Sequence, residues 1–91
     1  MVLYEKIQSD MYTAMKAGEK EKASTLRTVL AKLKDKQIDT REPLSQKDEI
    51  KVLQTLVKQR KESIDLYQKG GRSELAQAES FELEIINAYL P

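Results

Sequence analysis

The chain contains neither cysteine nor histidine. Without cysteine it can form no disulfide, no thiolate metal site and no thiol nucleophile. Without histidine it lacks the most common general base and the most common metal ligand. Its serines have no neighbouring base other than lysine, and no sequence feature indicates a pocket around the glutamates near its end. We therefore predict no catalytic residue, no metal site and no cofactor.

Long hydrophobic runs are missing as well. No apolar segment approaches the ~20 residues that are needed to cross a bilayer. The first ten residues, "MVLYEKIQSD", turn polar at Glu5 and contain no apolar core of a secretory signal peptide. We therefore expect a soluble protein that is located in the cytosol (cytoplasmic) and has no membrane partner.

Glycine and proline are scarce, with three and two residues, whereas charged residues make up 34% of the chain. This composition favours long helices over strands and turns. Apolar residues recur at intervals of three and four positions, which is the spacing of one helix face. The pattern predicts helices at about residues 2–17, 19–38, 46–69 and 74–89.

Local signals indicate where these helices begin and end. Pro43 cannot lie inside a continuing helix, and Gly70 and Gly71 are typical of a helix end. Ser45 and Ser73 are the predicted N-caps of the third and fourth helices. Four amphipathic helices with short links predict an all-α fold, a small bundle or array of four helices with no sheet. A coiled-coil hairpin of the second and third helices is the alternative, because both keep heptad-like spacing.

The net charge is only +1, but the charges are unevenly distributed. Residues 46–72 contain seven basic and four acidic side chains, whereas residues 73–91 contain four acidic side chains and no basic one. Either the acidic end neutralises the basic middle, or one basic face remains free for a polyanion. The candidate nucleic-acid-binding residues are Lys58, Lys61, Arg72, Lys69, Lys32 and Lys36.

A structural interpretation exists for several of these candidates. Lys58 and Lys61 each precede an acidic residue by four positions, Glu62 and Asp65, which is typical of a solvated and locally compensated face. The "KGGR" segment at 69–72 could direct backbone N–H groups toward an anion. A plain turn between helices is better supported, because the segment has neither a preceding strand nor the GK[ST] ending of a P-loop.

Arg60 interrupts the apolar stripe of the third helix, where leucine or isoleucine would continue the pattern. A guanidinium at such a position must be paired, or its stem must pack while its head reaches water. The fourth helix contains the main uncompensated acidic cluster. We therefore predict that Arg60 forms a structural ion pair with Glu79 or Glu82.

The segments "AMKAGEKEKASTLRTVLAKLKDKQID" and "LVKQRKESIDLYQKGGRSELAQAESFELEIINAYLP" resemble the N-terminal domain of the YqeY-like proteins. These proteins are similar to the tail of the GatB component of the tRNA-dependent Asp/Glu amidotransferase, and together they are known as the GatB/YqeY family. The resemblance implies that residues 1–91 form a single helical domain. It also leads us to expect that the second, smaller helical domain of full-length relatives is absent.

The resemblance implies a function in tRNA amidation. The related tail helps to hold the tRNA whose misacylated end is amidated, and family members are associated with glutamine-dependent carbon–nitrogen ligase activity (glutamine as amido-N-donor). The catalytic machinery lies on other domains, so we expect a non-catalytic helper whose partner is tRNA. The alternative is a protein-interaction module that docks on an amidotransferase subunit or another protein. A free-standing enzyme is the least supported hypothesis, because the residues for catalysis are missing.

Overall fold

The computed structural model describes all of residues 1–91 and contains four α-helices and no β-strand. The helices are α1 (Val2–Lys16), α2 (Lys20–Thr40), α3 (Gln46–Lys69) and α4 (Ser73–Asn87). The all-α fold that the spacing of apolar residues predicts is therefore confirmed. None of the four helices is both long enough and apolar enough to cross a lipid bilayer.

The helix boundaries differ from the predicted ones mainly at α2 and α4. α2 continues to Thr40 rather than ending at residue 38. It ends there because Arg41 adopts the left-handed conformation, with φ 59°, while its N–H still donates to the carbonyl of Gln37 at 2.8 Å. α4 ends at Asn87 rather than at residue 89. These shifts leave the number and the order of the helices unchanged.

The two predicted N-caps have different outcomes. Ser45 has extended backbone and its hydroxyl accepts a hydrogen bond from the N–H of Asp48 at 3.2 Å, which confirms it as the cap of α3. The prediction for Ser73 is wrong, because Ser73 is already the first residue of α4. Arg72 is the N-cap residue instead, and its side chain makes no capping hydrogen bond. The glycine turn ends at Arg72, so α4 begins at the next residue, Ser73.

Glycines with positive φ terminate α1 and α3 in the same way. Gly18 has a φ of 76° and Gly71 a φ of 72°. In each turn the glycine N–H and the next N–H bond back to carbonyls of the preceding helix, which is the Schellman arrangement. These turns are short, so each one returns the chain against the helix that it has just left.

Packing pairs α1 with α2 and α3 with α4, and the two pairs meet around a common core. α2 and α3 contact each other much less, so the coiled-coil hairpin considered above is not formed. Burial of these apolar side chains is the main source of the fold's stability. The most completely buried apolar residues are Ile7, Ala14, Leu26, Val29, Leu33, Leu53 and Ile86.

Candidate nucleic-acid interface

Two of the predicted cations, Lys58 and Lys61, are exposed on the outer side of α3. Neither lies within 4.0 Å of a carboxylate, although acidic residues follow both at four positions. Asp65 pairs instead with Lys69, whose Nζ lies 2.9 Å from Oδ2 of the aspartate. The outer side of α3 therefore presents cations and carboxylates interleaved along one surface, and Lys69 is already paired.

Arg72 is exposed at the turn between α3 and α4. The N–H of Gly71 donates to the carbonyl of Gln68 at 3.2 Å, and the N–H of Arg72 donates to that of Tyr67 at 2.7 Å. The N–H of Gly70 is likewise bonded, to the carbonyl of Leu66 at 3.0 Å. Because these donors are used inside the protein, the "KGGR" segment forms a helix–helix turn and leaves only the Arg72 side chain for an anion.

Lys32 and Lys36 lie on the side of α2 that faces α3, away from the other candidates. They line an open groove of about 490 Å³ between the two helices. The charged residues of this groove are three lysines and three aspartates, so it has no net positive charge. They are Lys32, Lys36 and Lys51 together with Asp35, Asp39 and Asp48. The six predicted cations therefore do not form one continuous basic surface.

One exposed flank of α2, which borders Met15 of α1, carries a row of basic residues that the sequence reasoning missed. Lys20, Arg27, Lys34 and Arg41 follow one another at intervals of seven residues, and all four are exposed. None of them forms an ion pair. No position three or four residues away from any of them is acidic. We call these four residues the basic face of α2; the regular interval of seven was the signal that could have found it.

Arg60 lies between α3 and α4 and its side chain is only 13% exposed. Its Nη1 donates to the carbonyl of Leu56 at 3.3 Å, and its Nη2 lies 4.0 Å from Oε1 of Glu82. Its Nε is buried without a hydrogen-bond partner. The guanidinium therefore faces α4 and makes a long ion pair, and it points away from the exposed cations Lys58 and Lys61.

The environment of Glu82 shows that this pairing is incomplete. Burial raises the pKa of the Glu82 carboxyl above its usual value, and the charge of Arg60 only partly opposes this effect. Glu79, the other predicted partner, also raises that pKa through its negative charge and a side-chain hydrogen bond. Glu79 itself lies outside the 4.0 Å range of any cation. Arg60, Glu79 and Glu82 thus form a partly buried polar cluster between α3 and α4.

Glu49 is a buried residue whose role the sequence did not indicate. It is 0% exposed, and its Oε2 accepts a hydrogen bond from the backbone N–H of Tyr4 at 2.7 Å. Tyr4 belongs to the first turn of α1, where N–H groups have no partner within the helix. Glu49 on α3 therefore caps α1 from a distance of 45 residues along the chain. This role is structural, and it keeps Glu49 out of any binding surface.

A second polar contact connects the end of the chain to α1. The hydroxyl of Tyr89 donates to Oδ2 of Asp10 at 2.6 Å, and Lys6 lies 3.3 Å from the same carboxylate. The hydrogen bond from Tyr89 is the main cause that lowers the pKa of Asp10. Burial, followed by the hydrogen bond to Asp10, raises the pKa of Tyr89. Asp10 is therefore held ionised by structural partners.

α4 presents apolar side chains that no other helix covers. Leu75 is 43% exposed and Phe81 is 42% exposed. An open groove of about 530 Å³ has an apolar part formed by Phe81, Ile85, Ala88 and Tyr89, and its charged rim includes residues of α1 and α2. Contiguous exposed apolar area of this kind is typical of surfaces that contact other proteins.

Comparison with known proteins identifies the family. Residues 4–91 match the family model described as Yqey-like protein. The chain belongs to this family. The resemblance predicted from the sequence is confirmed, and it extends over nearly the whole chain of this Yqey-like domain.

Curated proteins show the same relationship. The chain is 40% identical over 85 residues to "Altered inheritance of mitochondria protein 41, mitochondrial" of Eremothecium gossypii, covering 92% of this chain and 46% of the relative. It is 36% identical over 87 residues to the protein of the same name of Vanderwaltozyma polyspora, with the same coverage. An uncharacterized protein of Schizosaccharomyces pombe is 27% identical over 85 residues, covering 93% of this chain and 69% of the relative. The chain thus spans about half the length of the first two relatives.

These names correct the predicted cytosolic location, which is wrong. The relatives from E. gossypii and V. polyspora are both named as mitochondrial proteins. The expectation of a cytosolic location depended on the missing apolar core of a secretory signal peptide. An apolar core is typical of a secretory signal, whereas mitochondrial transit peptides are amphipathic and rich in arginine. The absence of an apolar core therefore does not exclude a mitochondrial location.

Proposed function

We propose that this Yqey-like domain is a tRNA-binding module that assists tRNA amidation without chemistry of its own. Membership of the family supports the proposal, because the family resembles the tail of the tRNA amidotransferase. The ligand expected from that resemblance is a polyanion. Lysine and arginine bind such a ligand through its phosphates, independently of its sequence.

One structural observation supports this proposal most directly: the acidic α4 does not neutralise the exposed cations. Glu82, the one residue of α4 that pairs with a cation, pairs with the largely buried Arg60. The other two ion pairs of the chain lie within α1 and within α3. The exposed lysines and arginines of α2 and the exposed Lys58 and Lys61 of α3 are therefore unpaired. Unpaired and exposed cations are the groups that exchange their counterions for phosphates.

We also propose that the protein acts in mitochondria. The support is the naming of the curated relatives from E. gossypii and V. polyspora as mitochondrial proteins. The ligand would then be mitochondrial tRNA. Fractionation of cells that express the tagged full-length protein tests this location, and recovery in the cytosolic fraction alone would contradict it.

The test of tRNA binding is a fluorescence anisotropy titration with bulk tRNA at two salt concentrations. We expect binding at ~50 mM salt and a marked loss of affinity at ~200 mM, because phosphate contacts release counterions. The absence of binding at ~50 mM salt would contradict the proposal, since electrostatic binding is strongest there. Poly-glutamate at equal charge is the control competitor. If it displaces the protein as well as unlabelled tRNA does, RNA is not the preferred ligand.

A second function, a protein-interaction module, is supported by the uncovered apolar side chains of α4. Phe81 is the residue to change, and Tyr12, which is 51% exposed on α1, offers a matched control. If α4 is the docking surface, Phe81→Ser should abolish co-purification with amidotransferase subunits, whereas Tyr12→Ser should leave it intact. Equal behaviour of the two variants would argue against docking on α4.

A further inference from the structure

We propose that the basic face of α2, formed by Lys20, Arg27, Lys34 and Arg41, is the surface that contacts RNA, and that it binds the backbone phosphates of a double-stranded segment. This inference rests on the proposed RNA-binding function and specifies its surface and its form of ligand. It differs from the sequence-based candidates, which lie on α3, in the following turn and in the groove between α2 and α3.

The charge environment distinguishes this face from the other basic surfaces. On α3, Lys58 and Lys61 have acidic residues at four positions along the helix, and Lys69 is paired with Asp65. The groove that contains Lys32 has as many aspartates as lysines. On the basic face of α2 no acidic residue lies three or four positions from any cation. Four acidic residues adjoin the row in sequence, namely Glu19, Glu21, Asp35 and Glu42. Adjacent positions of a helix are about 100° apart around its axis, so a phosphate bound along the row would meet more attraction than repulsion.

The acidic residues of α2 lie to one side of this face. Glu21, Asp35 and Asp39 are roughly 80–120° around the helix from the centre of the cationic row, given 3.6 residues per turn. Asp35 and Asp39 face the groove toward α3, where they accompany Lys32 and Lys36. The helix thus separates its charges into a mixed side and a purely basic side.

The spacing of the cations makes the face a straight track. Positions seven residues apart lie about 10.5 Å apart along a helix and drift by about 20° around it. From Lys20 to Arg41 the row therefore extends over about 31 Å. Three of its four members lie within the regular helix, so the backbone holds them at fixed intervals. Such a track contacts phosphates at several separate points along one ligand.

The composition of α2 indicates backbone contacts rather than recognition of bases. Proteins that bind single strands stack the bases on aromatic side chains. α2 contains no aromatic residue, and the exposed aromatic residues Tyr12 and Phe81 lie on α1 and α4. The affinity of this face should therefore follow the charge density of the ligand and not its sequence.

A rigid track favours a rigid ligand. A flexible single strand would lose conformational entropy if it were straightened along about 31 Å of helix, and this loss opposes binding. A nucleic-acid duplex is already straight over this length, because its persistence length is about 50 nm. A duplex also presents more charge per unit length. We therefore infer a double-stranded segment as the preferred ligand.

An anionic membrane would offer charge as well, but the face lacks what membrane-surface helices use. Such helices bury tryptophan, phenylalanine and leucine among the lipids. Beside the cationic row, α2 exposes one large apolar side chain, Ile38. The small residues Ala31 and Ser24 occupy the equivalent positions seven and fourteen residues before Ile38. The face therefore favours a phosphate polymer over a lipid surface.

The test compares two triple variants that remove equal charge. The first is Lys20→Gln, Arg27→Gln and Lys34→Gln, which neutralises the basic face. The second, the matched control, neutralises three exposed lysines that lie outside this face and outside the other proposed contacts: Lys16→Gln, Lys47→Gln and Lys51→Gln. Both proteins are checked for folding by thermal unfolding and are titrated with a 20-base-pair RNA duplex, the corresponding single strand, and vesicles that contain anionic phospholipid.

For four phosphate contacts, the plot of log affinity against log salt should have a slope of about −3.6, which is about a 10²-fold loss between 50 and 200 mM salt. The α2 variant should reduce the slope to about −0.9, and the control should leave it unchanged. The wild-type protein should bind the duplex more tightly than the single strand.

Other results would separate the inference from the function on which it rests. If RNA binding is lost in the control and kept in the α2 variant, the inference is wrong but the proposed function stands. Tighter binding of the single strand would overturn the duplex assignment. Binding of vesicles without binding of RNA would overturn both, as would no binding of any RNA at 50 mM salt.

Discussion

The replacement of Arg60 by alanine tests how the largely buried guanidinium stabilises the domain. The side chain is only 13% exposed, and alanine removes two of its stem methylenes. At about 0.8 kcal/mol for each buried methylene, the lost burial amounts to about 1.6 kcal/mol. Removing the cation also leaves Glu82 partly buried without its partner, which adds on the order of 1 kcal/mol. We therefore expect Arg60→Ala to reduce the free energy of unfolding by about 2–3 kcal/mol.

The replacement by methionine separates the stem from the charge. Methionine keeps an apolar stem of similar length but has no guanidinium. The ion pair that it removes is long, at 4.0 Å, and the buried Nε that it removes has no hydrogen-bond partner. Methionine leaves Glu82 without its partner, as alanine does, and this adds on the order of 1 kcal/mol, but methionine keeps the apolar burial of the stem. We therefore expect Arg60→Met to lie within about 1 kcal/mol of the wild type.

The pH dependence of the methionine variant gives a second measurement. Burial raises the pKa of Glu82 in the folded protein above the value of 4.5 for an unperturbed glutamate. Its contribution to stability is therefore fully present below pH 4.5 and is lost as the pH rises through the folded pKa. Removing the charge of Arg60 should raise this pKa further. The variant should thus lose more stability than the wild type above pH 4.5, and the difference should close below it.

The assay is urea unfolding followed by far-ultraviolet circular dichroism, together with thermal unfolding. A loss of 1 kcal/mol lowers Tm by about 4–8 °C in a domain of this size. Arg60→Ala should therefore lower Tm by about 8–24 °C, and Arg60→Met by about 8 °C or less. Lys58→Ala is the control on the same helix, and it should change stability by less than about 0.5 kcal/mol because Lys58 is exposed.

Two results would refute this reasoning. If Arg60→Met loses as much stability as Arg60→Ala, the ion pair and not the stem stabilises the domain. If Arg60→Ala is neutral while RNA binding is lost, Arg60 belongs to the binding surface and not to the interior.

Three further changes test other contacts of the fold. Ser45→Ala should reduce the free energy of unfolding in urea by about 1 kcal/mol, because it removes the cap of α3. Ser73→Ala should leave it nearly unchanged, and equal losses in the two variants would contradict the cap assignment. Tyr89→Phe should cost about 1 kcal/mol at neutral pH. The pKa of Asp10 in the folded protein is lowered below 3.8, so the loss of stability in Tyr89→Phe should shrink as the pH falls through that lowered pKa. A loss that does not depend on pH would exclude the charge of Asp10 as its cause. Glu49→Ala should reduce the free energy of unfolding by about 2 kcal/mol or more, because it leaves the N–H of Tyr4 without its acceptor and opens a cavity. Unchanged stability would refute the capping role of Glu49.

The helices themselves were predictable from the sequence because the signals that determine them are local. The spacing of apolar residues, the capping Ser45 and the turn at Gly71 each act within a few positions along the chain. The wrong N-cap of α4 was a small error, because it misplaced the first residue of the helix by one position within a single turn. The basic face of α2 was equally visible, as a repeat of seven, because exposure on a helix follows from its period.

The contacts between distant residues were decided by the tertiary structure alone. Glu49 meets Tyr4 across 45 residues and Tyr89 meets Asp10 across 79 residues. Sequence periodicity indicates that a position faces inward but not which helix it faces, because the pairing of helices depends on packing over the whole core. The same limit applies to the binding surface. The sequence predicted Glu79 or Glu82 as the partner of Arg60 but left open whether the acidic residues of α4 also neutralise exposed cations. The packing of α3 against α4 places Glu82 beside Arg60.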